Sequence, residues 1–286
     1  MYSVRFSLKG ASFVYKGCSF TFVPMGAKTF LDQMGNRVVV SFPPKRIVSL
    51  VPSQTELLAR FELDDEVLGI TKFCVHPESW RKKKLIIGGT KNFQLDQIHQ
   101  IQPDLILGNK EENYQEGIEE LKKHYPVWMS DIRTPDDALV MIGEVGHITG
   151  KDGEAEKLIT DIQQSWANML KLPPLRVLYL IWRKPWMGVA SGTFIHGMLQ
   201  LAGLKNCLTQ QSRYPQLTDK EVRSLNPDYV FLSSEPYPFK EKHIQELQNI
   251  LPNSKILLVD GEMFSWYGSR MQMFADYIIN LRSRLI

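Results

Sequence analysis

The chain has 286 residues, of which 43% are hydrophobic and 23% are charged, and its formal net charge is +3 at pH 7. This composition is typical of a soluble globular protein, and the length leaves room for two domains of ordinary size. The small net charge and the lack of a long lysine or arginine stripe argue against nucleic-acid binding. No apolar run approaches the roughly 18 residues of a membrane span.

The cysteines also narrow the class of protein. Cys18, Cys74 and Cys207 are odd in number, lie far apart and form no CxxC motif. They therefore predict neither a disulfide framework nor a cysteine metal site, and they fit a reducing compartment.

Residues 1–24 have an unusual composition, with three basic residues and no acidic one. A secretory signal needs an uninterrupted apolar stretch of about 7–15 residues, and Lys9 and Lys16 interrupt every candidate. Two interpretations stay open for this N-terminal extension: an added edge hairpin, or upstream sequence that precedes a start at Met25. Either way no export signal is visible, so the sequence predicts a cytoplasmic location.

Residues 25–133 alternate between strand and helix patterns, as expected of a first α/β lobe. Ser53 is predicted to cap the first helix, and Glu56 would complete a capping box. Such alternation implies parallel strands joined by crossover helices. The strands are predicted at 38–40, 46–51, 67–70, 105–107 and 127–129, and the helices from 52 onward, at 94–100 and at 114–124.

Residues 134–173 are predicted to form a helical connector. Thr134 to Asp137 supplies an N-cap, a proline in the first turn and acidic residues against the helix dipole. A second apolar stripe predicts a helix from about Glu154 to Leu170, which would be a rigid strut of roughly 25 Å. Trp166 is expected to be a core residue on that stripe.

Residues 174–286 are predicted to repeat the strand and helix order of the first lobe, and short segments of the two lobes have similar sequences. The segment 101–107 recurs as 225–231, 124 positions later, and that offset places Glu111 on Glu235. Upstream, 46–51 is echoed by 176–181. Because the echoes keep their order, we expect two similarly built lobes, with a cleft between them as the place for a small ligand.

Ligands of open parallel sheets bind beyond the carboxyl ends of the strands. The loops predicted there are rich in aromatic rings, which offer flat apolar faces, and Arg183 and Arg270 offer planar donors for carboxylate or phosphate. The alternative is that the rings plug the lobe interface and cover loop ends. The candidate ligand-binding residues are Phe73, Cys74, His76, Asn109, Lys110 and Glu111 in the first lobe, and Trp182, Arg183, Trp186, Glu235, Tyr237, Phe239, Phe264, Trp266, Tyr267 and Arg270 in the second.

The segment Arg46 to Glu56 resembles the first strand-and-helix signature of the class III (cluster A) substrate-binding proteins of ABC importers. The resemblance covers about 29–286 and includes the motifs at 88–90, 192–194 and 201–206. It implies two Rossmann-like α/β lobes with parallel central sheets, bridged by a long rigid helix. It also implies a metal chelate as ligand, namely vitamin B12, haem or a ferric siderophore. The segments 179–183 and 260–270 are most similar to members labelled cobalamin-binding.

The same resemblance implies an ABC permease as partner, which family members meet through one acidic residue on each lobe. The matching positions hold Asp96 in the first lobe and Lys220 in the second, with Glu221 next to it. A lysine would repel an arginine of the permease, so a cytoplasmic corrinoid holder or sensor is an alternative to import. The family itself implies a periplasmic or cell-surface location.

Other functional classes fit the sequence less well. The six histidines are scattered, which argues against a receptor for free metal ions. No GxGxxG, P-loop or GxSxG motif follows a strand, so an enzyme is not expected. If the protein were an enzyme, Glu235, His76 and Ser53 would be the candidate catalytic residues. We therefore expect a monomeric, non-catalytic binding protein without an intrinsic cofactor. His76, or Cys74, is the candidate axial contact to a bound metal.

Overall fold

The computed structural model describes residues 26–285, together with the backbone of the strands β1 (Arg5–Leu8), β2 (Ala11–Lys16) and β3 (Ser19–Pro24). These three strands form an antiparallel sheet of their own, in the order β1-β2-β3. Cys18 and the proposed start at Met25 lie outside the described residues. The chain divides into two compact units: unit 1 is Met1–Asp131 with Met141–Lys157, and unit 2 is Ile132–Val140 with Leu158–Ile286.

Unit 1 contains a five-stranded parallel sheet in the order β12-β11-β6-β7-β8, beside the antiparallel hairpin β4-β5. Strands β6, β11 and β12 are buried along their whole length, as expected of a parallel sheet covered on both faces. In chain order the elements are β4 (Ala27–Leu31), β5 (Arg37–Ser41), β6 (Ile47–Ser49), α1 (Pro52–Arg60), β7 (Val67–Ile70), α2 (Glu78–Lys83), β8 (Leu85–Ile86), β9 (Gly88–Gly89), β10 (Asn92–Phe93), α3 (Leu95–Ile101), β11 (Leu105–Asn109), α4 (Gln115–Lys122) and β12 (Val127–Ser130).

The predicted capping role of Ser53 is wrong. Helix α1 begins at Pro52, so Val51 is the N-cap residue and no side chain caps the helix. A proline suits the first helical position because its missing N–H would have no partner there. Ser53 consequently falls inside the first turn, where its side chain is 2% exposed.

The connector consists of two helices, α5 (Pro135–Thr149) and α6 (Asp152–Ala167). Each helix is divided between the units: α5 after Val140 and α6 after Lys157. Gly150 adopts a φ of +74° in the turn between them, a conformation that favours glycine. Helix α6 starts two residues before the predicted strut and ends three residues earlier. Among the residues described, none of the helices combines the length and apolarity of a membrane span.

Unit 2 has a six-stranded sheet in which β13, β15, β17 and β18 are parallel, whereas β14 pairs antiparallel with β13 and β16. The antiparallel pair was not predicted. It follows from the short connection between β13 and β14, because three residues can join only antiparallel neighbours. The elements are β13 (Arg176–Trp182), β14 (Trp186–Gly188), α7 (Phe194–Leu201), β15 (Lys205–Asn206), β16 (Gln216–Leu217), α8 (Asp219–Leu225), β17 (Tyr229–Ser233), α9 (Glu241–Ile250), β18 (Lys255–Val259), α10 (Gly261–Ser265), a 3-10 helix (Ser269–Met273) and α11 (Phe274–Leu285).

Candidate functional site

The carboxyl ends of the parallel strands in unit 2 bring three loops to one edge of the sheet. Leu180 pairs with Leu232, and Ser233 pairs with Val259, so β13, β17 and β18 end at the same level. The loops that follow these strands touch one another: the Trp182 and Tyr237 rings lie edge to face at 5.5 Å, and Trp266 reaches Glu235. This edge therefore gathers the aromatic segments that the sequence places after strands.

Glu235 is the hub of this edge. Its Oε1 accepts hydrogen bonds from Ser265 Oγ at 2.6 Å and from Trp266 Nε1 at 2.9 Å. Burial raises the pKa of its carboxyl, and the acidic neighbours Glu262 and Asp260 raise it further, against the effect of the two hydrogen bonds. Gly261 makes room for this side chain, because a Cβ at that position would lie 2.7 Å from Glu235 Cγ.

Trp182 presents the most exposed ring of this edge. Its side chain is 41% exposed, although it stands at the end of a buried strand. Tyr237, which packs against it, is held by a 3.2 Å hydrogen bond between its hydroxyl and His243 Nε2. Among the described phenylalanine, tyrosine and tryptophan residues, only Trp182 and Phe73 are exposed. The ring of Trp182 is thus available to a flat ligand.

Several other predicted contact residues are instead part of the packing of unit 2, which corrects the sequence-based site. Trp186 donates from Nε1 to Asp219 at 2.8 Å and stacks on Phe239, and both rings lie in the hydrophobic core. Phe264 packs edge to face on Tyr179 and Phe274. Six candidate residues of unit 2 have less than a tenth of their surface exposed: Trp186, Phe239, Phe264, Trp266, Tyr267 and Arg270.

Both predicted arginines already have anionic partners within unit 2. Arg183 pairs through two nitrogens with the carboxylate of Glu246, at 2.5 Å for Nε, and its guanidinium lies over the Trp186 ring. Arg270 pairs with Glu262 at 3.0 Å and lies 5.0 Å from the centre of the Trp266 ring. The expectation that these guanidiniums are donors held ready for a carboxylate or phosphate is therefore wrong for this structure.

In unit 1 the candidate residues after β7 differ sharply in accessibility. Phe73 is 51% exposed, with the Lys72 ammonium 5.0 Å from its ring centre. Cys74 is fully buried, and its Sγ lies 3.0 Å from Thr55 Oγ1 and 3.2 Å from Thr71 Oγ1. Burial raises the pKa of this thiol, so it stays protonated and is unsuited to a metal. The axial role suggested for Cys74 is thereby corrected, whereas His76 is only partly buried.

The buried side chain of Asn109 holds the loop after β11 by hydrogen bonds to its backbone. Its Oδ1 accepts the backbone N–H groups of Glu111 and Glu112, and its Nδ2 donates to Ser130 Oγ at 3.0 Å. Asn109 is 2% exposed and so positions the loop without facing solvent. The same loop carries Lys110, which pairs with Asp131 at 2.6 Å.

Sequence reasoning missed the polar network beneath that loop. Gln54 Nε2 donates to Ser130 Oγ at 2.7 Å, and Asn113 Oδ1 accepts the N–H of Asn109 at 2.8 Å. Ser53 Oγ and Gln54 Oε1 are buried and have no hydrogen-bond partner among the described residues. A sequence feature that could have indicated this network is a polar residue at the end of an otherwise apolar strand, as at Ser49, Ser130 and Ser233.

The predicted permease-docking residues Asp96 and Glu221 are both exposed in their own units, but the carboxylate of Glu221 is engaged in capping a helix. Asp96 lies in the first turn of α3. The Glu221 carboxylate accepts both the N–H and the hydroxyl of Thr218 at 2.7 Å, which completes a capping box and lowers the pKa of Glu221. Lys220, exposed beside it, stands 124 positions after Asp96.

No three histidine, cysteine or acidic side chains of the described part of the chain lie close enough together to hold a metal ion. A surface depression does occur in unit 2, lined by Arg176, Lys205 and Asp228 among others. It lies at the amino-terminal end of β13, which is the opposite edge from the aromatic loops. We therefore assign the candidate site to the carboxyl-end loops, where the sequence-predicted residues gather.

Comparison with known proteins gives consistent relatives. A family model described as "Periplasmic binding protein" matches residues 47–251. The ABC transporter substrate-binding lipoprotein YvrC of Bacillus subtilis is 25% identical to this chain over 265 residues. The match covers 85% of this chain and 81% of YvrC. The vitamin B12-binding protein of Pectobacterium carotovorum is 22% identical over 243 residues, covering 82% of this chain and 87% of the relative.

Two solved structures have the same fold. The periplasmic vitamin B12-binding protein BtuF of Vibrio cholerae superposes with a TM-score of 0.68 at 19% identity, covering 85% of this chain and 97% of BtuF. The periplasmic heme-binding protein RhuT of Roseiflexus sp. RS-1 has a TM-score of 0.73 at 20% identity, covering 85% and 99%. The predicted α/β fold and the resemblance to class III substrate-binding proteins are confirmed.

The cytoplasmic location predicted from residues 1–24 is wrong. The matching family model describes periplasmic proteins, and the relatives include a lipoprotein and vitamin B12-binding proteins of the same family. These matches point to a location outside the cytoplasm. The error arose because the prediction rested only on the composition of the N-terminal segment.

Proposed function

The chain belongs to the periplasmic binding protein family, and on that premise we propose that it is a non-catalytic receptor for a corrinoid such as cobalamin. Members of this family are substrate-binding proteins of ABC importers that bind metal chelates. The chelate would be the transported ligand, not a resident cofactor, and an ABC permease would be the partner of the monomeric receptor. Vitamin B12-binding relatives support the choice of a corrinoid.

The observation that carries this proposal is the exposed Trp182 ring. A large flat ligand gains affinity by covering apolar aromatic surface, and it gains most where that surface is held in place. Trp182 is 41% exposed and packs against Tyr237, whose hydroxyl is in turn bonded to His243. A ring held in this way loses little conformational freedom when a flat ligand covers it, which supports a role in ligand binding.

Buried Ser53 argues against the enzymatic alternative. A serine nucleophile must reach its substrate and needs a base within hydrogen-bonding distance. The Oγ of Ser53 is sealed from solvent and has no partner among the described residues. Glu235, the second suspect, is held by Ser265 and Trp266 and fits a binding role instead.

For the permease, we propose Asp96 as the docking residue of unit 1. Its carboxylate is exposed at the start of α3. Glu221 is the weaker candidate in unit 2, because its carboxylate already caps α8. We expect Asp96→Ala to reduce transport more than Glu221→Ala while leaving ligand affinity unchanged.

The proposal is tested by titrating the purified protein with cyanocobalamin, dicyanocobinamide, haemin and a ferric siderophore while tryptophan fluorescence is recorded. We expect saturable quenching by the corrinoids, and affinity at least about tenfold weaker in Trp182→Ala, because one large aromatic contact is lost. Ile279→Ala, a substitution of a 51% exposed apolar residue on α11, is the matched control and should bind as the wild type does. If none of the chelates saturates the wild type, the proposed function is wrong.

A further inference from the structure

We infer that Glu235 is the acceptor for a hydrogen-bond donor of the ligand, and that it selects neutral, donor-bearing chelates over chelates that carry carboxylates. This inference rests on the proposed function and deepens it, because it names the residue and the charge class of ligand that the site prefers.

The two oxygens of the Glu235 carboxylate are in different situations. Oε1 is occupied by two donors, Ser265 Oγ and Trp266 Nε1. No described group donates to Oε2, and Oε2 is not among the unpartnered atoms that are sealed from solvent. One oxygen thus fixes the orientation of the carboxylate while the other remains reachable. A preorganised acceptor of this kind favours binding because little rotamer entropy is lost.

The charged groups with the largest effect on Glu235 are acidic. They are Glu262 and Asp260, and both raise the pKa of its carboxyl. Glu262 is itself paired with Arg270. Arg183 is paired with Glu246. A partly buried carboxylate whose main charged neighbours are acidic is a marker of functional sites.

Ligand chemistry determines which chelates this arrangement favours. The fringe of a corrinoid consists of primary amides, whose N–H groups are neutral donors and match a lone carboxylate oxygen. The propionates of haem are anionic, and a carboxylate close to Glu235 and its acidic neighbours is repelled. Discrimination would therefore come from repulsion of the wrong ligand as well as from the bond to the right one.

The test compares Glu235→Gln with Glu241→Gln, which removes the same charge from an exposed position in α9 of the same unit. The glutamine carbonyl can still accept from Ser265 and Trp266, which turns its NH₂ toward the place of Oε2. We expect cyanocobalamin to bind Glu235→Gln about tenfold or more weakly, the loss typical of a hydrogen bond to a charged group. Haemin should bind Glu235→Gln as well as, or better than, it binds the wild type, and Glu241→Gln should match the wild type throughout.

The wild type supplies a second readout that needs no variant. Its affinity for cyanocobalamin should fall as the pH is lowered from about 7.5 to about 4.5, because a protonated Glu235 has lost its charge and is a weaker acceptor. The profile of Glu235→Gln should be flat by comparison. A flat wild-type profile, equal corrinoid affinity in Glu235→Gln, or haemin binding the wild type more tightly than cyanocobalamin would each overturn the inference. Such results leave the proposed function standing so long as cyanocobalamin saturates the wild type.

Discussion

At the scale of single residues, the two arginines of the candidate site are paired with glutamates of their own unit, whereas Glu235 is held by neutral donors. Arg183 and Arg270 are each held by a glutamate and lie over a tryptophan ring. Among the described residues, the donors to Glu235 are the neutral groups of Ser265 and Trp266. Burial of its carboxylate lowers the stability of the folded state, and a binding role explains why it is present.

This cost predicts a pH-dependent effect on stability. Because burial raises the pKa of Glu235, the folded state holds the proton more tightly than the unfolded state, and the carboxylate is destabilising above that pKa. Glu235→Gln should therefore have a higher urea midpoint than the wild type near pH 7, and the gap should close as the pH falls to about 4. Urea unfolding followed by circular dichroism measures the difference. A wild type more stable than Glu235→Gln at neutral pH would contradict a destabilising effect of the buried carboxylate.

At the scale of elements, the two units use the same joint between a helix and the next strand. Helices α3 and α8 both end in a left-handed residue, Gln102 with φ 48° and Asn226 with φ 43°. A proline and an aspartate follow in each case. Arg46 Nε donates to the last carbonyl of α3 at 2.8 Å, and Arg176 Nη2 does the same for α8 at 2.5 Å. The echo in the sequence thus corresponds to a repeated set of hydrogen bonds.

The aspartates of the two joints should contribute unequally to stability. Asp104 accepts the backbone N–H groups of both Lys45 and Arg46 at 2.8 Å, whereas Asp228 accepts that of Arg176 at 2.7 Å. We expect Asp104→Ala to lower the free energy of unfolding by about 1–2 kcal/mol and Asp228→Ala by roughly half as much, given the partial exposure of these bonds. Chemical denaturation of both variants tests this order. An equal or reversed order would show that the second acceptor bond at Asp104 contributes nothing.

At the scale of the whole molecule, two compact units each contain their own sheet and core, and the connecting helices α5 and α6 are divided between them. The close contact of these helices depends on a glycine, because a Cβ on Gly146 would lie 2.4 Å from that of Ala155. A ligand that binds the folded chain and not the unfolded chain raises the stability of the folded state.

The increase in the free energy of unfolding on ligand binding can therefore be predicted for the intact protein. At a free cyanocobalamin concentration of 100 times the dissociation constant, the folded state should gain about 2.7 kcal/mol. At the same concentration Trp182→Ala, with tenfold weaker affinity, should gain only about 1.4 kcal/mol. Thermal unfolding with and without ligand measures both values. An unchanged melting temperature of the wild type would contradict binding to the native state.

The fold was more predictable than the site. Alternating strand and helix patterns predicted most of the parallel strands, but not β15, and the repeated segment predicted the equivalence of α3–β11 and α8–β17. The antiparallel strand β14 was missed because a short apolar segment does not reveal its direction. Burial of Trp186, Phe239 and Phe264 was missed because loop residues follow no periodicity, so their exposure depends on which elements close over them.

The sequence by itself determined the α/β class, the internal repetition and the loops in which a ligand site could form, because hydrophobic periodicity and order along the chain are local properties. Only the tertiary structure decided which of those loop residues are free to act. Arg183, Arg270 and Cys74 found partners within their own units, while Trp182 kept an exposed ring and Glu235 an open oxygen. The physical reason is that pairing and burial arise from contacts between residues distant in the chain, such as Arg183 with Glu246 or Glu235 with Trp266, which no local pattern encodes.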